Sequence, residues 1–411
     1  MNNHYCRHCS AKLTTQVLDL GHAPPSNSYV LPEHLNKPEL TFPLRLRICE
    51  MCWLLQTEDY TDPELLFDHN YAYFSSTSQS WLKHAKKFAI EMIARLGLSS
   101  SSHVLEIASN DGYLLRNFVD HKIPCLGIEP TNSTATVAER LGIPVERSFF
   151  DSILAEKLSK SEKLSDLVIA NNVLAHVPDL NDFCLGLAKI LKPEGVLSVE
   201  VPHLVNLVGS CQFDTAYHEH FSYFSFNTIV QIFAEHGLKV FDVEEIGTHG
   251  GSLRVFACLE NARHEKTEHS LRLEKIEKKR GVQEVGFYSQ LQKKSEDIKN
   301  NFIKFLIDAK AEGKSVAAYG AAAKGNTLLN FAGIRPDLIS CVFDNAKAKQ
   351  GKFLPGSHIP IHSPKKLAHE FFDYIVILPW NLSDEIRSTL VDVVDPNTSF
   401  VTVMPEIKVF K

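Results

Sequence analysis

No run of about 18 consecutive apolar residues occurs in this chain, so no segment reads as a membrane-spanning helix. The opening, MNNHYCRHCS, lacks the basic-then-apolar order of a secretory signal. Positive charge is not in excess. Lys and Arg number 43 against 49 Asp and Glu, and the net charge of −6 argues against a broad nucleic-acid surface, though not against a local basic pocket. G-x-G-x-x-G, G-x-x-x-x-G-K-[ST] and H-E-x-x-H are all missing, which removes the strongest signatures of dinucleotide, P-loop and zinc-protease sites. Fixed-period repeats and low-complexity tracts are absent too. The expectation is a cytoplasmic protein with no membrane and no nucleic-acid partner, and a monomer by default.

The nine cysteines are few, and four are paired in a telling way. Cys6-x-x-Cys9 and Cys49-x-x-Cys52 each place two sulfurs on one bend, and two such bends complete a tetrahedral thiolate site for structural zinc. A redox CxxC normally sits between a strand and a helix, and neither pair does. Pro24, Pro25, Pro32, Pro38 and Pro43 lie between the pairs, so an irregular loop that depends on the metal for rigidity is expected there.

At 411 residues, 44% of them apolar, the chain has room for several cores. A zinc-binding module is expected over 1–65. Next comes an amphipathic helix over 79–96 that buries Trp81, Phe88, Ile90 and Ile93. Strands at 104–108, 125–129, 167–170 and 196–201 alternate with helices near 114–120, 134–141 and 181–191, which implies a parallel α/β sheet. Antiparallel strands at 239–244 and 252–258 would close this unit, which spans 66–260. Residues 261–313, rich in Lys and Glu and free of Pro, read as a mostly exposed helical connector with a break at Gly281. A second α/β unit over 314–411 has strands at 315–319, 338–343, 374–378 and 399–404.

The strand entering VLEIASNDGYLL carries Glu106, then small residues, then Gly112 opening a helix, which is the layout of a nucleotide-type site. Glu129 at the tip of the next strand can accept both hydroxyls of a ribose. A nicotinamide dinucleotide and S-adenosylmethionine both suit this layout. Asp111 would repel a pyrophosphate, whereas Glu106 and Asp111 attract sulfonium and ammonium charges, so electrostatics favour the methyl donor. Ala108, Asn110 and Asn171 complete the candidate loop set, and Phe149 or Phe150 could cover the adenine. Further on, CQFDTAYHEHFSYFS follows a strand and Pro202, and it crowds Tyr217, His218, Glu219 and His220 at the carboxyl edge of the sheet. Histidine titrates near neutrality, so this cluster could serve as a general base. A neighbouring phenol or imidazole can stabilise a developing oxyanion.

The order of a CxxC…CxxC module, EIASNDG, NNVLAHVPD, YHEHFSYFS and AAYGAAAKGNTLLN resembles the nucleotide-sugar C-methyltransferase family over nearly the whole chain. The resemblance implies a class I S-adenosylmethionine methyltransferase core of Rossmann-like α/β fold, with an N-terminal zinc-binding module and a C-terminal degenerate Rossmann-like domain. Its implied activity is methylation of a carbon, C3 in our reading, of a dTDP-linked 4-keto-6-deoxysugar. It also implies that His220 is the general base, Glu219 its polar neighbour and Tyr217 the hydroxyl that steadies the enolate. His176 would be a further active-site histidine and Tyr71 an active-site tyrosine, with Tyr73 as the near alternative. Many methyltransferases carry glycine where this chain has Ala108, and alanine is expected to serve there with ordinary dihedrals. The turn at Ala322 and Lys324, with Asn381 at the matching edge, is expected to hold the nucleotide sugar at a helix N-terminus. The alternatives are O- or N-methylation of a small molecule, or a zinc-stabilised binding protein with an inactive methyltransferase core.

Overall fold

The computed structural model describes residues 4–58, 74–161 and 163–411. The N-terminal cysteine segment folds around an antiparallel sheet rather than an irregular loop. β1 (Thr15–Ala23) pairs with β2 (Phe42–Ile48), which pairs with β3 (Leu55–Thr57). The strand signal is the alternation of Leu44, Leu46 and Ile48, all buried on one face. Pro24, Pro25, Pro32 and Pro38 are confined to the excursion between β1 and β2, so they do not interrupt the ladder.

The helix Gln79–Leu96 starts where Ser78 Oγ accepts from Trp81 N and ends at Gly97, which takes φ 61°. Its buried side chains are Ala85, Phe88, Ala89 and Met92. Ile90, expected on that face, is 47% exposed, because the burying stripe runs through Ala85, Phe88, Ala89 and Met92 and leaves it to the side. Five parallel strands follow: β4 (Val104–Ile107), β5 (Cys125–Ile128), β6 (Val145–Glu146), β7 (Ser165–Asn171) and β8 (Leu191–Pro202). β9 (Ser222–Tyr223) leaves this unit and pairs with β3 as the fourth strand of the N-terminal sheet. β10 (Leu238–Ile246) and β11 (Ser252–Leu259) then pair antiparallel beside β8. The seven-stranded order is β10-β11-β8-β7-β4-β5-β6. The chain runs outward from β4 to β6 and then returns to β7, so the topological switch point lies between β4 and β7. Open α/β sheets bind ligands at the carboxyl end of such a point.

The charge-rich connector forms helices Glu268–Arg280, Val285–Tyr288 and Leu291–Ala311, with Gly281 in the left-handed conformation at the end of the first. It is not a solvated spacer. Leu291, Ile298, Phe302 and Leu306 are buried, and Glu277 is fully enclosed. A third sheet has the order β14-β13-β12-β15-β16-β17. Its strands are β12 (Val316–Tyr319), β13 (Val342–Phe343), β14 (Ile361–His362), β15 (Tyr374–Ile377), β16 (Ser399–Thr402) and β17 (Lys408–Phe410), all parallel except β17. No helix among the described residues is long and apolar enough to cross a membrane.

Candidate active site

The four cysteine sulfurs lie within 4.8 Å of one another, with Cys6 and Cys52 at 3.5 Å and Cys9 and Cys49 at 3.5 Å. Four thiols converging so closely fit a tetrahedral ion. Gln56 Nε2 donates to Cys6 Sγ at 3.2 Å, and its Oε1 accepts from Arg7 N at 3.0 Å. That bridge ties the first cysteine bend to β3.

At the switch point the backbone turns sharply. Ala108 has φ 53° and Asn110 φ 51°, both in the left-handed region. The ordinary dihedrals expected of Ala108 are therefore not observed, and its methyl costs about 1–2 kcal/mol in that conformation. Asn110 and Glu129 hold the turn together. Asn110 N donates to Glu129 Oε2 at 2.9 Å, Thr131 N donates to Glu129 Oε1 at 2.9 Å, and Ser75 N donates to Asn110 Oδ1 at 2.9 Å. Gly112 takes φ 77°, a conformation that favours glycine, and a Cβ there would also press on the Ala138 backbone at 3.2 Å and the Ile143 tip at 2.5 Å. Asp111 Oδ2 accepts from Ser76 N at 3.1 Å, while its Oδ1 is buried with no partner among the described residues. Glu106 Oε2 and Asn171 Oδ1 are likewise buried and unpartnered among them. Burial, with Glu129 and Asp111 beside it, pushes the Glu106 carboxyl well above its usual range. Three orphaned acceptor oxygens around one small-residue turn are what a cationic, hydrogen-bond-rich methyl donor would satisfy. Phe150 lies in the core, edge-on to Phe183 at 5.4 Å, and Phe149 is the exposed member of the pair at 55%.

The segment after β8 spreads its polar side chains in different directions. His220 is buried, and its Nδ1–H donates to Thr215 O at 3.0 Å. That bond leaves Nε2 as the acceptor for Tyr217 Oη–H, 2.5 Å away. The His176 ring stands 4.6 Å from the His220 ring at 67°, with its Nδ1–H on Glu219 O at 2.8 Å. Desolvation lowers His176 to about 4. Burial, helped by His176, Lys324 and His249, holds His220 well below its usual value, so both rings are neutral at pH 7. Glu219 turns away toward the N-terminal sheet, where both its oxygens accept from Asn27 Nδ2 at 2.8 Å. His218, left without a role by the sequence, donates from Nε2 to Phe42 O and Pro43 O at 3.3 Å. Tyr71 and Tyr73 lie outside the described residues.

The third sheet closes on the same place. Ala322 begins the helix Ala323–Phe331 without a side-chain cap. Asn326 in that helix is 1% exposed, and neither amide atom has a partner among the described residues. Lys324 Nζ donates to His249 O at 3.1 Å and lies 5.3 Å over the Trp380 ring, whose Nε1–H donates to Asp214 Oδ2 at 2.7 Å. Asn381 follows Trp380 in the same turn and is half-buried. Tyr29 Oη–H donates to Ala321 O at 2.6 Å, so the N-terminal excursion straps Glu219 to this turn. Asn27, Tyr29 and His249 were not singled out from the sequence. Asn27 and Tyr29 lie in a proline-flanked loop with no motif, and His249 stands beside glycines in a hairpin tip.

Three family profiles match the chain in order: "putative zinc binding domain" over 6–67, "methyltransferase domain" over 81–243 and "C-methyltransferase C-terminal domain" over 247–405. The C-methyltransferase NovU of Streptomyces niveus is 33% identical over 404 residues, covering 98% of this chain and 96% of that protein. Among solved structures, an S-adenosylmethionine-dependent methyltransferase of Clostridium acetobutylicum is 12% identical, covers 43% of this chain and 92% of its own, and has a TM-score of 0.35. The magnesium protoporphyrin IX methyltransferase of Synechocystis, with bound S-adenosylmethionine, is 14% identical, covers 43% and 78%, and scores 0.33. At those scores neither structure bears on the substrate.

Proposed function

Because the chain belongs to the C-methyltransferase family, and is therefore an S-adenosylmethionine-dependent carbon methyltransferase, we propose that its acceptor is C3 of a dTDP-4-keto-6-deoxysugar. The observation that supports this most directly is the buried His220, tautomer-locked by Thr215 O, with Tyr217 at 2.5 Å and His176 packed against it. A carbon beside a carbonyl is inert until it loses a proton. O- and N-acceptors already carry a lone pair and need at most a modest base, so they ask less of this crowded His/Tyr cluster than a C–H does.

In this reading His220 Nε2 takes the C3 proton and the electron pair moves to the C4 oxygen. Tyr217, released from Nε2 as the sugar enters, donates its phenolic hydrogen to that oxygen. When bound, S-adenosylmethionine would supply the electrophilic methyl group for the enolate carbon and would leave as S-adenosylhomocysteine, the carbon–sulfur bond pair remaining on sulfur. Glu106, Asp111 and Asn171 would hold the donor through their unpartnered oxygens, with Asn110 and Glu129 setting the shape of the turn. Ala108 and Gly112 keep that turn compact. His176 keeps the His220 ring in register, and Glu219 anchors the segment to Asn27. Tyr71 is proposed as a further contact on the acceptor. The sugar's diphosphate would meet the uncapped turn at Ala322, with Lys324, Asn326 and Asn381 beside it.

The test is His220→Asn, followed by proton NMR in deuterated water with a panel of dTDP-4-keto-6-deoxysugars and by mass analysis with labelled donor. We expect C3–H exchange and methylation to fall together by about 100-fold or more. Undiminished exchange in the variant would remove His220 as the base, and label on oxygen or nitrogen would remove the carbon acceptor.

A further inference from the structure

The tip of the β10–β11 hairpin carries a histidine in an unusual place. His249 adopts φ 55° and ψ 18°, a left-handed conformation that a non-glycine residue rarely takes. It is held there from outside. Its carbonyl accepts from Lys324 Nζ, and at the next residue any side chain on Gly250 would meet Trp380 at 2.5 Å and Gln212 at 2.9 Å. Gln212 Nε2 also donates to Gly250 O at 2.8 Å. Strain that the surroundings over-determine in this way marks a side chain whose position matters.

The ring packs toward the turn that follows β4. It lies edge-on to Trp81 at 5.5 Å, and Trp81 stacks on Tyr113, the residue after Gly112, at 6.2 Å. Neither ring nitrogen has a hydrogen-bond partner among the described residues. The ring shares its electrostatic surroundings with His176, His220 and Lys324. Desolvation lowers it to about 4, so at pH 7 it is a neutral imidazole with one N–H to give.

We propose that His249 is a catalytic residue of this pocket, donating its ring N–H to the acceptor's carbonyl oxygen as that oxygen becomes negative. The assignment rests on the carbon-methylation reading above and completes it. His220 removes the proton, Tyr217 and His249 meet the oxygen from two sides, and no net charge enters the site. A neutral imidazole serves this purpose well, because its hydrogen bond strengthens as the enolate forms and it does not compete for the C3 proton.

Three variants of the full chain with its zinc test the proposal: His249→Ala, His249→Asn and His249→Gly. Asparagine tolerates the left-handed backbone and keeps an N–H. Glycine removes the backbone strain, so lost turnover with an undiminished melting temperature cannot be a folding defect. With wild type and His220→Asn alongside, three quantities are measured: donor affinity by calorimetry, C3–H exchange in deuterated water, and kcat and KM for methylation. We expect the alanine and glycine variants to lose roughly 100-fold to 1000-fold in kcat and in exchange, with donor affinity and KM within about threefold of wild type. The asparagine variant should recover part of the loss. Exchange and kcat within threefold of wild type in the glycine variant would overturn the assignment alone. A wild type that neither exchanges nor methylates any sugar in the panel would sink the underlying reading, and this role with it.

Discussion

Among the described residues, no donor reaches Glu106 Oε2, and the carboxyl is flanked by Glu129 and Asp111. Its folded pKa lies above the unfolded value, so the folded state holds the proton more tightly. The stability this group contributes is present below the unfolded pKa, near about 4.3, and is lost as pH rises toward the folded value. His176 and His220 act oppositely. Their folded values are depressed, so their contribution is intact above the unfolded histidine pKa and is lost as pH falls through the folded values. Glu106→Gln should therefore stabilise the ligand-free protein at pH 7 by about 1–3 kcal/mol, while weakening donor binding. Thermal melts with and without S-adenosylmethionine measure both effects. A variant that melts lower without the donor, or binds it as tightly, contradicts this role. The acid on the strand and the small residues after it could be read locally. That Ala108 and Asn110 are left-handed could not, because neither residue type demands that conformation.

At the scale of elements, the helix Phe226–Glu235 and the connector helix Glu268–Arg280 are joined by one side chain. Glu277 Oε1 accepts from His203 Nε2 at 2.7 Å and from Phe226 N at 2.8 Å, and its Oε2 accepts from Asn227 N and Nδ2, each at 2.8 Å. A carboxylate at a helix N-terminus satisfies donors that have no intrahelical partner. His203 bridges to Phe224, just after β9, so this clamp fixes both ends of the segment that carries His220. Glu277→Ala should cost about 3–5 kcal/mol, since it strands buried groups. Urea unfolding would show it, and a loss below about 1 kcal/mol would mean that water replaces the carboxylate. In sequence, Glu277 stands among Lys and Glu residues and looks like one more solvated charge. Its partners are 50 and more positions away, and no periodicity announces them.

Across the whole molecule, the segment that carries His220 is held from the N-terminal sheet and from the C-terminal unit, where Thr327 Oγ1–H donates to Ala216 O at 2.9 Å. β3 runs on from the Cys49–Cys52 bend and pairs with β9, and Thr57 Oγ1–H donates to His220 O at 3.3 Å. The zinc site is thus one short strand from the proposed base. Chelation should loosen β1, β2 and β3 and lower methylation in step, with donor affinity less affected. Hydrogen exchange across 42–57, followed against activity during chelator titration and zinc return, checks this. Activity that survives release of the metal would show the module to be remote scaffolding.

The cysteine spacing, the small-residue turns, the strand–helix alternation and the Tyr217–His220 cluster were legible along the chain because each is a short-range pattern with a local physical cause. The two left-handed residues, the sheet hidden among prolines, the buried Glu277, the strap from Asn27 to Glu219 across 192 positions and the inward-facing His249 had no such trace. They exist because distant segments close on one another and fix the place of each side chain. Chain order states nothing about which segments those will be.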